Sequence, residues 1–122
     1  MPVSVLVVDD DPGFRDLASR LIAELGMTVV GRVGSVAAAV AAADELRPQS
    51  ALVDFGLPDG DGLELAAVLS QRPWRPRVVV ISSDPEVITA AEARAAGAIA
   101  FLAKTDLPTR DLRQLLAGGA DA

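Results

Sequence analysis

The residues that could do chemistry stand where apolar runs stop. Asp9, Asp10 and Asp11 follow Ser4-Val5-Leu6-Val7-Val8, and Asp54 closes Ala51-Leu52-Val53. Ser82 and Ser83 follow Val78-Val79-Val80-Ile81, and Lys104 follows the run over 99–102. A continuous apolar run is how a strand buried on both faces reads, and open α/β sheets bind ligands at the carboxyl ends of their strands. If the first, third, fourth and fifth strands lie side by side, these groups converge on one crevice. Asp54 is its centre, because an ionised carboxylate after an apolar strand needs a partner or a shifted pKa. We read it as the group to be modified. Many phosphate-binding folds place a Gly-rich loop after strand one. This chain places acids there, which repel phosphate and call for a hard divalent cation with oxygen ligands. The charges then balance: three carboxylates carry −3, and one Mg²⁺ with Lys104 restores +3.

Singly, each residue has a plainer explanation. Asp10 or Asp11 could simply cap a helix, Ser82 could end a strand, and Lys104 could be a snorkelling surface lysine. Phe101 is core by default. Five separated positions nevertheless fall together on the predicted strand ends.

Composition removes other chemistries. The chain has no histidine and no cysteine, so an imidazole base, a zinc–histidine centre, a phosphohistidine carrier, a disulfide and a thiolate metal site are all excluded. A cytoplasmic location is expected from the missing cysteines. Seventeen acids against 11 bases give a net charge of −6, which disfavours nucleic-acid binding by this chain alone. No apolar run nears the ~20 residues that span a bilayer. A length of 122 residues with 51% hydrophobic content predicts one packed domain.

The elements that must position these groups alternate. A helix should follow the acids, with Asp10 or Asp11 at its N-cap, Pro12 in its first turn and Gly26 past its end. Its inward face is Phe14, Leu17, Ala18, Leu21, Ile22 and Leu25. Residues 28–33 form a second strand, placed at a sheet edge because Gly31 and Arg32 interrupt it. Ser35 caps a second helix whose inward face is Val36, Ala39, Val40, Ala43 and Leu46. The third helix begins near Asp61 and carries Leu65, Val68 and Leu69. Asp84-Pro85-Glu86 opens a fourth, which Gly97 ends, and a fifth begins near Pro108. Trp74, in a loop held extended by two prolines, is a partly exposed packing residue. Five strands alternating with five helices predict a parallel sheet covered on both faces.

These residues resemble the receiver domains of two-component response regulators. Asp9 and Asp10 match the acidic pair, Asp54 the phosphoacceptor, Ser82 the switch hydroxyl, Phe101 the switch aromatic and Lys104 the lysine. Leu57-Pro58 and Asp61-Gly62 match the loop after the acceptor. The resemblance implies a flavodoxin-like (βα)₅ fold of strand order 2-1-3-4-5, over residues 1–117, with 118–122 as a tail or the start of a linker. It implies Mg²⁺ held by Asp9 or Asp10, by Asp54 and by the Gly56 carbonyl. It also implies phosphorylation of Asp54 by a histidine kinase or phosphotransfer protein. Ser82 and Lys104 would then hold the phosphoryl oxygens, and Ser82 and Phe101 would switch the face made by helix four, strand five and helix five. A homodimer is compatible with it. DNA would be met only through a separate output domain.

Two positions depart from the family pattern. Thr105 follows Lys104 where the family usually has proline, often with a cis bond, and this pair resembles the subgroup that carries a helix-turn-helix output domain. Gly56 brings no side chain, so only its carbonyl could serve a metal. Two rival readings stand beside the resemblance. One is a haloacid-dehalogenase-like phosphatase using Asp9, which would leave Asp54 idle and lacks the usual Gly-Thr after the acids. The other is a receiver-shaped module that is never phosphorylated.

Overall fold

A computed structural model describes residues 2–107 and 110–118. Five strands, β1 (Ser4–Val8), β2 (Thr28–Val33), β3 (Ser50–Asp54), β4 (Arg77–Ser82) and β5 (Ala100–Ala103), form one sheet of order β2-β1-β3-β4-β5. All four pairings are parallel. Five helices connect or follow them: α1 (Pro12–Glu24), α2 (Val36–Leu46), α3 (Gly62–Ser70), α4 (Ala90–Ala95) and α5 (Arg110–Ala117). The order and the two-sided cover are those the sequence predicts.

Alternate residues of each central strand feed opposite cores. Leu6, Val8, Ala51, Val53, Val78 and Val80 face α2, α3 and α4. Val5, Val7, Leu52, Val79 and Ile81 face α1 and α5. Burying such side chains contributes on the order of 1.5–3 kcal/mol each, so the strand ends sit on a rigid platform. β2 is an edge strand, as expected. Its Gly31 is more than an interruption: the register with β1 shifts there, and an added Cβ would meet Leu6 Cδ1 at 3.0 Å and Leu46 Cδ1 at 3.1 Å.

The caps fall largely where the sequence puts them. Asp11 is the N-cap of α1 with Pro12 behind it, Ser35 caps α2, and Asp61 caps α3 in a reciprocal box with Glu64. Gly26 takes the left-handed conformation past α1, at φ 88°.

Several expectations need correction. α4 does not open at Asp84. Asp84 accepts from Glu86 N within a turn, and the helix starts at Ala90, where Thr89 and Glu92 cap each other's backbone. A reciprocal box satisfies two free N–H groups rather than one, so it wins the helix start. β5 runs one residue later than predicted. Leu17 and Leu46, placed on inward faces, are exposed, because each helix buries a narrower stripe than its periodicity allows. The segment after Asp54 is not a plain loop: Gly56–Leu57 pairs antiparallel with Gly60–Asp61. The bond before Thr105 is trans, and Lys104–Asp106 makes one 3₁₀ turn. The expected start of the last helix near Pro108 and most of the 118–122 tail lie outside the described residues.

Candidate phosphoacceptor and metal site

The sheet delivers the predicted groups to one end. Asp9 is the first residue beyond β1, and its N–H donates to Val33 O at 3.0 Å. It is fully buried. Asp9 Oδ1 accepts from Asp11 N at 2.9 Å, and Arg15 Nη1 donates to the Asp9 carbonyl at 3.1 Å, so the turn is fixed from both sides. Asp9 Oδ2 takes no backbone N–H among the described residues and faces the Lys104 ammonium instead. Asp54 ends β3 and is 7% exposed. Oxygens of Asp9, Asp10 and Asp54 all lie within 4.8 Å of one another. Asp10 is the exposed member.

Lys104 enters from the end of β5. Its Nζ lies 2.6 Å from Asp9 Oδ2 and 3.4 Å from Asp54 Oδ1. The ammonium also lies 4.3 Å from the centre of the Phe14 ring, a cation–π contact from the first turn of α1. Burial alone would lower the Lys104 pKa, but the contact with Asp9 and the charge of Asp54 outweigh it and push it up. Asp54 is also pushed up, chiefly by burial and then by the charge of Asp9, against the opposing pull of Lys104. Three carboxylates face one ammonium, a deficit of two positive charges. That deficit and the all-oxygen donor set fit a hard divalent ion.

Ser82 ends β4, buried, and its Oγ accepts from Asp84 N at 3.0 Å. Phe101, on β5 opposite Val80, is half-buried against the α2–α4 core. Gly56 lies exposed on the small ribbon, and a Cβ built there meets nothing within 4 Å. The helical spacing of the sequence marks Phe14 as core only, and no sequence pattern gives Asp59 a role. Asp59 Oδ1 and Oδ2 accept from Val36 N and Ala37 N at 2.7 and 3.0 Å. No local pattern reveals that contact, since the partners are 23 and 22 residues apart.

The sequence profile of the response regulator receiver domain family matches residues 5–117. The chain belongs to that family. Receiver domains are modules of two-component signalling, and this one is similar to several with different attachments. It is 37% identical over 103 residues to the DNA-binding transcriptional activator DevR/DosR of Mycobacterium tuberculosis, covering 84% of this chain and 48% of that protein. It is 33% identical over 121 residues to a protein-glutamate methylesterase/protein-glutamine glutaminase of Hahella chejuensis, covering 93% of this chain and 35% of that protein. The chain thus spans half or less of the length of both relatives. Among solved structures, the signal receiver domain of NarL from Mycobacterium tuberculosis superimposes with a TM-score of 0.80 at 32% identity. That match covers 91% of this chain and 94% of the other.

Proposed function

We propose that Asp54 is the phosphoacceptor of this receiver and that Asp9, Asp10, Asp54 and the Gly56 carbonyl hold Mg²⁺ beside it. The observation that carries the reading is Asp54 itself: a buried carboxylate at a strand end, raised in pKa, 3.4 Å from an ammonium and inside a three-acid cluster. The donor is a phosphohistidine on a kinase or phosphotransfer protein. An Asp54 oxygen forms the new P–O bond as the P–N bond breaks, and the departing imidazole leaves with the electron pair. Bound Mg²⁺ supplies positive charge against the phosphoryl oxygens. The same groups assist the later hydrolysis, so the domain accelerates its own phosphorylation and dephosphorylation without a further substrate.

The chain's own residues do the rest. Lys104 Nζ stands between Asp9 and Asp54, so it can follow charge from one to the other and donate to a phosphoryl oxygen. Ser82 Oγ would leave its bond with Asp84 N and turn its hydroxyl to the phosphoryl group. Phe101 would fill the space vacated, changing the α4–β5–α5 face. Asp9 fits a phosphatase nucleophile poorly, because it is fully buried under Lys104. A cytoplasmic setting fits the cysteine-free composition, and no helix among the described residues is long and apolar enough to cross a membrane. We further propose residues 1–117 as the receiver unit; any DNA contact would belong to an attached output domain.

Incubation with acetyl phosphate tests the reading. Wild type should gain one phosphoryl group with Mg²⁺ present and none with EDTA, and Asp54→Asn should gain none. Undiminished uptake by Asp54→Asn would overturn it.

A further inference from the structure

The first turn of α2 stands between the two loops that carry the acids. On one side, the turn before it packs against the acid-pair loop. A Cβ on Gly34 would lie 3.5 Å from Asp10 Cα, 3.7 Å from the Asp9 carbonyl oxygen and 2.8 Å from Arg15 Nη1. On the other side, Asp59 reaches from the tip of the acceptor loop and takes the N–H groups of Val36 and Ala37, one on each oxygen. Gly60 closes the contact, since a Cβ there would lie 3.1 Å from Val36 Cγ2. The base of the same loop is pinned separately: Gly62 N donates to Phe55 O at 2.7 Å, and a Cβ on Gly62 would strike the Asp54 carbonyl oxygen at 2.8 Å. α2 already has a cap in Ser35, which accepts from Ala38 N. Two further backbone donors are therefore spent on a residue from another part of the chain.

We propose that Asp59 is a positioning residue for the metal site, latching the acceptor loop to α2 so that the two donor loops keep a fixed separation. The proposal rests on the reading that this cluster holds Mg²⁺. With the loop fixed at base and tip, the Gly56 carbonyl is ordered before the ion arrives. Without Asp59 only the pairing of Gly56–Leu57 with Gly60–Asp61 holds the loop, and the ion's binding must order what that pairing leaves loose. Charge-assisted bonds to free helix N–H groups are strong ones, which is why a carboxylate suits the task. A role confined to helix capping would move stability and leave metal affinity alone.

Calorimetric titration with Mg²⁺ alone, on wild type, Asp59→Ala, Asp59→Asn and Ser35→Ala, separates the two. Asp59→Ala should weaken Mg²⁺ binding by about tenfold, the order of freezing one or two backbone residues. Asp59→Asn should lose less, since its amide keeps one acceptor oxygen for one of the two N–H groups. Ser35→Ala, which removes α2's other cap, should leave Mg²⁺ affinity close to wild type. In acetyl phosphate labelling, Asp59→Ala should need proportionally more Mg²⁺ for half-maximal uptake yet reach nearly the wild-type maximum. Unchanged Mg²⁺ affinity with faster exchange of the Val36 and Ala37 amides would overturn the latch, as would an equal loss in Ser35→Ala. Because Mg²⁺ binding is read without phosphorylation, a wild type that binds Mg²⁺ but is never labelled would sink the phosphoacceptor assignment and leave the latch standing or falling on its own titration.

Discussion

The two ends of the sheet are built from the same strands and treat polar groups in opposite ways. At the amino end, polar side chains are matched to partners. Ser50 Oγ donates to Leu116 O, Arg77 Nε to Leu115 O at 2.8 Å, and Trp74 Nε1 to Pro48 O at 2.9 Å. Arg47 lies over the Trp74 ring, and Arg72 meets both oxygens of Asp44. At the carboxyl end, three acids share one ammonium. Burial and the charge of Asp9 disfavour the ionised Asp54, so this end is where stability has been given up. The amino end holds the fold together; the carboxyl end gathers negative charge that a cation would balance.

Lys104→Met should break this contrast most. It strands the Asp9 carboxylate inside the protein, and removing one member of a buried pair costs about 3 kcal/mol or more. Urea unfolding in EDTA should show that loss, and Mg²⁺ should recover part of it by mass action. A loss below about 1 kcal/mol would mean that the pair is solvated enough to be dispensable.

At the other end, Ser50→Ala leaves the Leu116 carbonyl without its buried donor and should cost about 1–2 kcal/mol. That loss should be the same with and without Mg²⁺. A Mg²⁺-dependent loss would show the two ends to be coupled rather than separate.

Asp54→Asn should stabilise the metal-free protein, read as a higher melting temperature. The sign follows from the raised pKa. A carboxyl whose folded pKa lies above its unfolded value costs stability once pH exceeds the unfolded value, and costs nothing when protonated in both states. The advantage of Asp54→Asn should therefore shrink as pH falls toward and below 3.8. An advantage that persists unchanged at low pH would point to packing instead.

The smallest effect expected is at Asp59. Its two backbone N–H bonds, to Ala37 and then Val36, hold its pKa below the ordinary 3.8. A depressed carboxyl pKa gives stability that is present above the unfolded value and lost as pH falls through the folded one. The amide resonances of Val36 and Ala37 should titrate with a midpoint below 3.8. A midpoint at or above 3.8 would mean that the latch is open in solution.

The contrast between the ends also explains what could be read from the sequence. Asp9, Asp54 and Ser82 were legible because the central strands are unbroken apolar runs buried on both faces, each ending on or just before the residue concerned. Lys104 follows the half-buried edge run of β5 in the same way. The strand order was legible through the family resemblance. The α4 start was misread, since Asp84-Pro85 and Thr89-x-x-Glu92 both look like helix openings and only the reciprocal bonding decides. Leu17 and Leu46 were misplaced because periodicity gives the direction of a helix face but not how far its neighbours extend over it. Asp59 and the stacking of Phe14 on Lys104 depend on how separate loops meet, which no local pattern records.

The most direct test of the account is chemical mapping of the phosphorylated residue. After incubation with acetyl phosphate and Mg²⁺, borohydride reduction converts an aspartyl phosphate to homoserine, which mass spectrometry of peptides locates. The account predicts homoserine at position 54, absent when Mg²⁺ is chelated. Homoserine at position 9, or at no aspartate despite saturating Mg²⁺, would contradict it.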